Sequence, residues 1–283
     1  AIFSCQSAKE FNALSVEIFH YQVERNSVYR DYCDYLNVDI PNIKSVEQIP
    51  YLPIELFKSH DIIADGLEAE QIFTSSGTTG STVSRHMVAS TDLYESSFIQ
   101  GFEAIYGTIS EYRLLALLPS YLERSGSSLV YMADKMIEIS QHPESGFFLD
   151  DVETLRTLLN SNAEVKTLLI GVSFALLDLV EAEPLTLKNT IVMETGGMKG
   201  RKKEMTRNEL HAALKAGFGV SEIHSEYGMT ELLSQAYATS QGHFETPAWM
   251  QLNIRDINDP LSPSPNGRTG GINVIDLANL YSC

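Results

Sequence analysis

Three short apolar runs, Leu114–Leu118 (LLALL), Thr167–Ile170 (TLLI) and Thr190–Met193 (TIVM), constrain this chain more than anything else in it. Each is too short for a helix and lacks polar alternation, which predicts a strand buried on both faces. Each is followed by a polar or Gly-containing segment: PSYLERSG, GVS and ETGG. Amphipathic helical patterns lie around them, in DLYESSFIQGFEAIYG, SSLVYMADKMI, VETLRTLLN and SFALLDLVE. Strands alternating with helices predict an α/β protein, and in such sheets ligands bind beyond the carboxyl ends of the strands. That geometry favours a small-molecule site in the segments after the three runs.

The first sixty residues read as helical. Ser7-Ala8-Lys9-Glu10 is a capping-box pattern, followed by Phe11, Leu14, Ile18 and Phe19 at helical spacing. Ser45-Val46-Glu47-Gln48 repeats the box before Pro50 and Pro53 break the chain. Thr206-Arg207-Asn208-Glu209 opens a further helix that Gly217 or Gly219 ends. After the turn-rich DPLSPSPNGRTGG, the segment INVIDLANL predicts one more strand.

Composition narrows the partners. A formal net charge of −17 disfavours nucleic acid or an anionic membrane as the main partner. Cys5, Cys33 and Cys283 form no CxxC pair or zinc framework, so a reducing, cytoplasmic setting is expected. No apolar run reaches membrane-spanning length, and the N-terminus lacks the pattern of a signal peptide. His86, His211 and His224 lack metal spacing; His224 is expected to be a hydrogen-bonded structural residue. There is no GxSxG elbow, which weighs against a serine hydrolase.

The segment TSSGTTGSTVSRHM, from Thr74 to Met87, is dense in hydroxyls and glycines and uncharged until Arg85. Gly77 and Gly80 can adopt positive φ and let backbone N–H groups converge on an anion. Ser75, Ser76, Thr78 and Thr79 add hydroxyl donors without bulk. The loop can therefore wrap a triphosphate, although it lacks the Lys of a Walker loop; a plain surface turn is the alternative. Downstream, Tyr227-Gly228-Met229-Thr230-Glu231 gathers a ring, a hydroxyl and a carboxylate, groups that a nucleotide site can use.

TSSGTTG followed by YGMTE resembles the paired ATP-binding signatures of the acyl-adenylate-forming superfamily. Glu194–Gly200 (ETGGMKG) resembles the glycine-rich strand end beside the adenine in those enzymes. IPYLPIELFKSH, LLPSYLERSGSSLVYM, ETGGMKGRKKEMTRNELH, HSEYGMTELLSQAY and VIDLANLYSC further resemble the acyl-protein synthetase subunit of the bacterial luminescence fatty-acid reductase complex. The phenylacetate-CoA ligase branch is a more distant relative, and the likeness spans about residues 10 to 283.

The resemblance implies an α/β fold corresponding to the large N-terminal domain of an acyl-adenylate-forming enzyme, with mixed β-sheets flanked by helices and the small C-terminal domain largely absent. It implies a helical segment over residues 1–60 packed on an ATP-binding adenylating core over residues 61–283. It implies ATP and Mg²⁺ as cofactors. Ser75, Ser76, Gly77, Thr78, Thr79 and Gly80 would wrap the β- and γ-phosphates. Gly196, Gly197 and Met198 would line one side of the adenine, with Tyr227 and Gly228 on the other. Thr230 would contact the α-phosphate and Glu231 would hold Mg²⁺. Tyr121 and Phe174, expected on loops after two predicted strands, are candidates for the carboxylic-acid pocket, with core packing as the alternative.

The implied activity is ATP-dependent conversion of a carboxylic, fatty acid to acyl-AMP, then transfer of the acyl group to a protein cysteine. The acceptor could be a reductase or carrier protein, or CoA in an acyl-CoA ligase; a non-catalytic nucleotide-binding subunit is the reading from another class. A ribose-binding Asp, a C-terminal Lys and an acceptor Cys, usual in the family, are expected beyond Cys283. Cys283 itself falls inside the DLANLYSC match and is not given the acceptor role. The basic run Met198–Lys203 could attract ATP, pyrophosphate or an acidic partner, or simply be a solvated approach to the helix at Thr206.

Overall fold

The computed structural model describes residues 1–76, 82–120, 126–161, 164–196, 202, 204–265 and 267–283. Along the chain run helices α1 (Ala8–Arg25), α2 (Ser27–Tyr35) and α3 (Leu56–Ser59), then strands β1 (Gln71–Thr74) and β2 (Arg85–Val88). Helix α4 (Thr91–Tyr106), β3 (Arg113–Leu117), α5 (Ser128–Ser140), β4 (Gly146–Phe147) and α6 (Val152–Asn160) follow. Next come β5 (Thr167–Val172), α7 (Ser173–Ala182), β6 (Thr190–Thr195), α8 (Arg207–Phe218) and β7 (His224–Tyr227). Strands β8 (Ala236–Ala238), β9 (Met250–Arg255) and β10 (Gly271–Asp276) complete the order. Among the described residues no helix is long and apolar enough to cross a membrane.

The chain forms two compact units. The first comprises Ala1–Ser97, Met229–Ser234 and Thr246–Cys283; the second comprises Phe98–Gly228 and Gln235–Glu245.

The second unit is built on one sheet in the order β4-β3-β5-β6-β7-β8. All neighbouring pairs are parallel except β7 with β8, which are antiparallel. The three apolar runs are its central strands, as their composition predicts. Every residue of β3 and β5 is buried, which is why neither strand shows alternation. Helix α8 begins with the Thr206–Glu209 capping box and ends at Gly219, whose φ of +65° suits a residue without a Cβ. Gly217 lets α8 approach α7, because a side chain there would put its first carbon 2.5 Å from Val180 Cβ. One expectation is corrected. Phe174 lies in the first turn of α7 and not on a loop, since α7 starts at Ser173 directly after β5. With β5 ending at Val172 and α7 starting at Ser173, no residue is left between them for a loop.

The first unit carries the N-terminal helices, the β1–β2 hairpin and the antiparallel β9–β10 ribbon. Ser7 caps α1 as predicted, accepting from the Glu10 N–H while Glu10 accepts from Gln6 N–H and the Ser7 hydroxyl. In the second box Gln48 Oε1 accepts from the Ser45 N–H at 3.1 Å, but the box opens only a single 3₁₀ turn, because Pro50 and Pro53 follow too soon for a helix. Phe19, Val23, Tyr29, Cys33 and Ile43 make a buried cluster against which Cys283 packs. Cys5 and Cys33 are buried, and burial pushes the Cys33 thiol up to about 11. Helix α1 is stitched to the chain's last residues: Gln22 Nε2 donates to the Asn279 carbonyl at 2.9 Å, and Asn26 Nδ2 donates to the Ser282 carbonyl at 2.8 Å.

Candidate functional site

In the second unit the carboxyl ends of β5, β6 and β7 come level. Val172 pairs with Thr195, Glu194 with Ser225, and Thr195 with Glu226. Ser173, Gly196 and Tyr227 thus lie at the strand ends where an α/β sheet binds ligands. Glu194 organises this edge from below. Its Oε1 accepts from the Ser225 hydroxyl at 2.6 Å and lies 3.4 Å from His211 Nε2. Its Oε2 lies 3.0 Å from Ser173 Oγ, whose hydroxyl also reaches the Gly196 carbonyl at 2.7 Å. Burial is the strongest influence on Glu194 and pushes its pKa up. The donors from His211, Ser225 and Ser173, with Arg207 nearby, together outweigh it and hold the carboxyl below its ordinary value.

Ser225, His211 and Glu194 superficially make a hydrolase triad, but the geometry excludes one. Ser225 is fully buried and gives its proton to Glu194, and the same imidazole nitrogen faces both partners. The network fixes the strand ends and the Gly196 turn, where φ is +66°.

Glu226 is the second buried carboxylate of this edge. Burial pushes it up to about 7, and the neighbouring Glu194 charge adds to the rise, while the Thr195 hydroxyl that donates to Oε2 opposes it. Gly228 sits against Glu226 and the Gln235 side chain, whose Oε1 is buried without a hydrogen-bond partner among the described residues. The Tyr227 ring packs edge-on against Phe244 at 6.0 Å, and the Arg207 guanidinium lies 4.7 Å from the Phe244 ring centre. Arg207 also approaches Glu194 Oε1 at 3.9 Å.

In the first unit, Ser75 stands at the neck of the β1–β2 hairpin. Its N–H donates to the Ser84 carbonyl at 3.0 Å and its Oγ accepts from the Ser84 N–H at 2.9 Å. Accepting leaves the Ser75 O–H free to donate to an anion. The segment Met229–Ser234 is pinned by buried side chains of the same unit. The Thr230 carbonyl lies 2.8 Å from His86 Nδ1, and the Glu231 carbonyl accepts from Asn279 Nδ2 at 2.7 Å. Asp276 Oδ2 accepts from the Leu233 and Ser234 N–H groups at 3.0 and 2.8 Å, and Oδ1 from Ser234 Oγ and Ala278 N–H at 2.6 and 3.0 Å. Glu231 is 8% exposed, and among the described residues its carboxylate has neither a hydrogen-bond nor an ion-pair partner.

The expected site residues therefore divide by unit. Ser75, Ser76, Thr230 and Glu231 belong to the first, and Phe174, Gly196, Tyr227 and Gly228 to the second. Gly77, Thr78, Thr79, Gly80, Tyr121, Gly197 and Met198 lie outside the described residues. Of the basic run, Lys202 is described and is engaged, bonding Asp178 at 2.8 Å and Glu181 on α7. His224 is a structural residue, as expected, with Nδ1 3.2 Å from the Tyr106 hydroxyl. Sequence reading gave no role to Glu194, Glu226, Asp276 or Asn279, and read His86 only for its lack of metal spacing.

The family model for the acyl-protein synthetase LuxE matches residues 4–281. The chain belongs to this family. A comparison with curated proteins gives no match. Family membership bears out the resemblance to acyl-protein synthetases carried by stretches such as IPYLPIELFKSH, LLPSYLERSGSSLVYM and VIDLANLYSC, and the α/β architecture agrees with it.

In the second unit Gly196 and Gly228 expose backbone at the strand ends; in the first, the Glu231 carboxylate has no counter-charge among the described residues. No group of three or more His, Cys, Asp or Glu residues gathers as a metal cluster among the described residues. A magnesium carried by a nucleotide needs no such cluster, since one or two carboxylates plus the phosphates and water complete its shell.

Proposed function

We propose that this acyl-protein synthetase family member activates a fatty acid with ATP and passes the acyl group to a protein cysteine. The family match over residues 4–281 carries the reading. The substrate carboxylate oxygen attacks the α-phosphorus of ATP, and pyrophosphate leaves to give acyl-AMP. A thiolate then attacks the acyl carbon and AMP leaves, forming a thioester. Both partners in the first step are anions, so the barrier falls mainly through charge neutralisation by donors aimed at the phosphates.

In this reading Ser75, Ser76 and the glycine-rich loop donate to the β- and γ-phosphates, Thr230 donates to the α-phosphate, and Tyr227 packs on the adenine. Glu231 would hold Mg²⁺, which when bound neutralises phosphate oxygens. Tyr121 and Phe174 are assigned to the acid pocket. The free cysteines suit a reducing compartment, and the reading places the reaction in the cytoplasm.

The test is carboxylate-dependent ATP–pyrophosphate exchange with short, medium and long acyl chains and aryl acids, using Glu231→Gln as control. Exchange with fatty acids, lost in the control, is expected. Discharge of acyl-AMP by a protein thiol but not by free CoA then identifies the acceptor. ATP binding without exchange for any acid would leave a nucleotide-binding subunit and overturn the reading.

A further inference from the structure

His86 occupies an inward position of β2 and is fully buried, opposite Phe73 in register and edge-on to the Phe57 ring at 5.6 Å. An imidazole in such a position needs partners for both nitrogens, because an unpaired buried polar atom is costly. Both are supplied from far along the chain. Nδ1 lies 2.8 Å from the Thr230 carbonyl, and Nε2 lies 2.9 Å from Ser282 Oγ.

The chemistry of the partners fixes the tautomer. A carbonyl can only accept, so Nδ1 carries the proton and donates to Thr230. Nε2 of the neutral ring is then bare and accepts from the Ser282 hydroxyl. Burial supports this neutral form by pushing the ring down to about 4, although the bond to Thr230 opposes the shift. The same directed arrangement therefore holds across neutral pH.

Thr230 and Glu231 have successive carbonyls, each held by a buried side chain: His86 for the first, Asn279 for the second. Pinning both carbonyls sets the peptide planes, and these planes set the directions in which the two side chains leave the backbone. We propose that His86 is a positioning residue for adenylation: by holding the Thr230 carbonyl, it fixes the backbone from which Thr230 and Glu231 present their side chains to the triphosphate. The inference rests on the assignment of Thr230 and Glu231 to the nucleotide. His86 touches no reacting atom and acts through Thr230.

A merely structural histidine and a positioning one differ in which of the two nitrogens matters. The amide nitrogen of Asn reaches the place of Nδ1 and can donate to Thr230, while the amide oxygen of Gln reaches the place of Nε2 and can accept from Ser282. His86→Asn thus keeps the donor to Thr230 and abandons Ser282, while His86→Gln does the reverse. Ser282→Ala removes the Nε2 partner without touching Thr230. Melting temperature and ATP–pyrophosphate exchange are measured on all three beside the unaltered chain.

The melting temperature is expected to fall comparably in His86→Asn and His86→Gln. The exchange kcat should drop about tenfold or more in His86→Gln, with a smaller change in KM for ATP, and stay within about threefold of the parent in His86→Asn and Ser282→Ala. Equal loss of kcat in the Asn and Gln variants, or loss that tracks melting temperature in all three, would overturn the positioning role. Thr230→Ala and Glu231→Gln separate this failure from failure of the underlying reading. If they abolish exchange while His86→Gln keeps parental kcat, only the role of His86 falls. If they leave exchange intact, or the unaltered chain shows none, the nucleotide assignment falls and the inference with it.

Discussion

Gly228 leaves the space that the Glu226 carboxylate fills: a first side-chain carbon at Gly228 would lie 2.7 Å from Glu226 Oε1. Glu226 cannot swing aside cheaply, because it is buried and bonded to Thr195. Gly228→Ala should therefore destabilise the fold by about 1–3 kcal/mol through overpacking. Combining it with Glu226→Ala removes the obstructing oxygens, so the double variant should lose less than the sum of the singles. Urea unfolding of the four-member cycle checks this, and strict additivity would show that the two residues do not compete for space.

Glu226 also makes stability depend on pH. Its folded pKa of about 7 lies above its ordinary value of 4.5, so the folded state holds this proton more tightly than the unfolded chain. The stability tied to that proton is complete below pH 4.5 and is lost as pH rises through 7. Glu226→Gln imitates the protonated carboxyl and should remove the slope. It should exceed the parent by about 1–3 kcal/mol at pH 8, with the gap closing towards pH 4.5. A gap that stays constant with pH would contradict the raised pKa.

His86 acts with the opposite sign. Its folded pKa of about 4 lies below 6.5, so the unfolded chain takes up this proton first. The contribution is complete above pH 6.5 and is lost as pH falls through 4. His86→Asn lacks a titrating ring, so the parent should lose stability relative to that variant between pH 6.5 and 4. Denaturant unfolding of both proteins across that range measures the difference. A parent curve alone would not separate this slope from that of Glu226.

Asp276 is a case where an isosteric change should be harsh. Its two oxygens accept four hydrogen bonds, from Leu233, Ser234 and Ala278. An Asn at this position must turn an N–H towards a backbone N–H in either amide orientation. Asp276→Asn should cost about 2–4 kcal/mol, more than an exposed Asp→Asn change, which lies within about 0.5 kcal/mol. Paired thermal melts of Asp276→Asn and Asp34→Asn give the comparison.

Legibility in the sequence followed burial chemistry. Strands β3, β5 and β6 announced themselves because their buried faces are almost wholly aliphatic. Strand β7 did not, since His-Ser-Glu-Tyr has no apolar pattern and its buried Ser225 and Glu226 are satisfied by Glu194 and Thr195 on the neighbouring strand. Strands β1 and β2 were hidden similarly: Thr74, Arg85 and His86 obscure the alternation, and the partners of His86 lie 144 and 196 residues away. The YGMTE stretch was readable as a motif. That its first two residues belong to one unit and its last three to the other was not, because the division depends on long-range pairing.

The stitching of α1 to Asn279 and Ser282 has a consequence for biosynthesis. Residues 1–97 leave the ribosome well before residues 229–234 and 246–283, which complete the unit they belong to. Its apolar cluster of Phe19, Val23, Tyr29 and Cys33 must wait, without Cys283, while the intervening sheet is translated. This stretch of the nascent chain is thus sealed only once residues 229–283 have emerged, and until then chaperones and proteases can meet it.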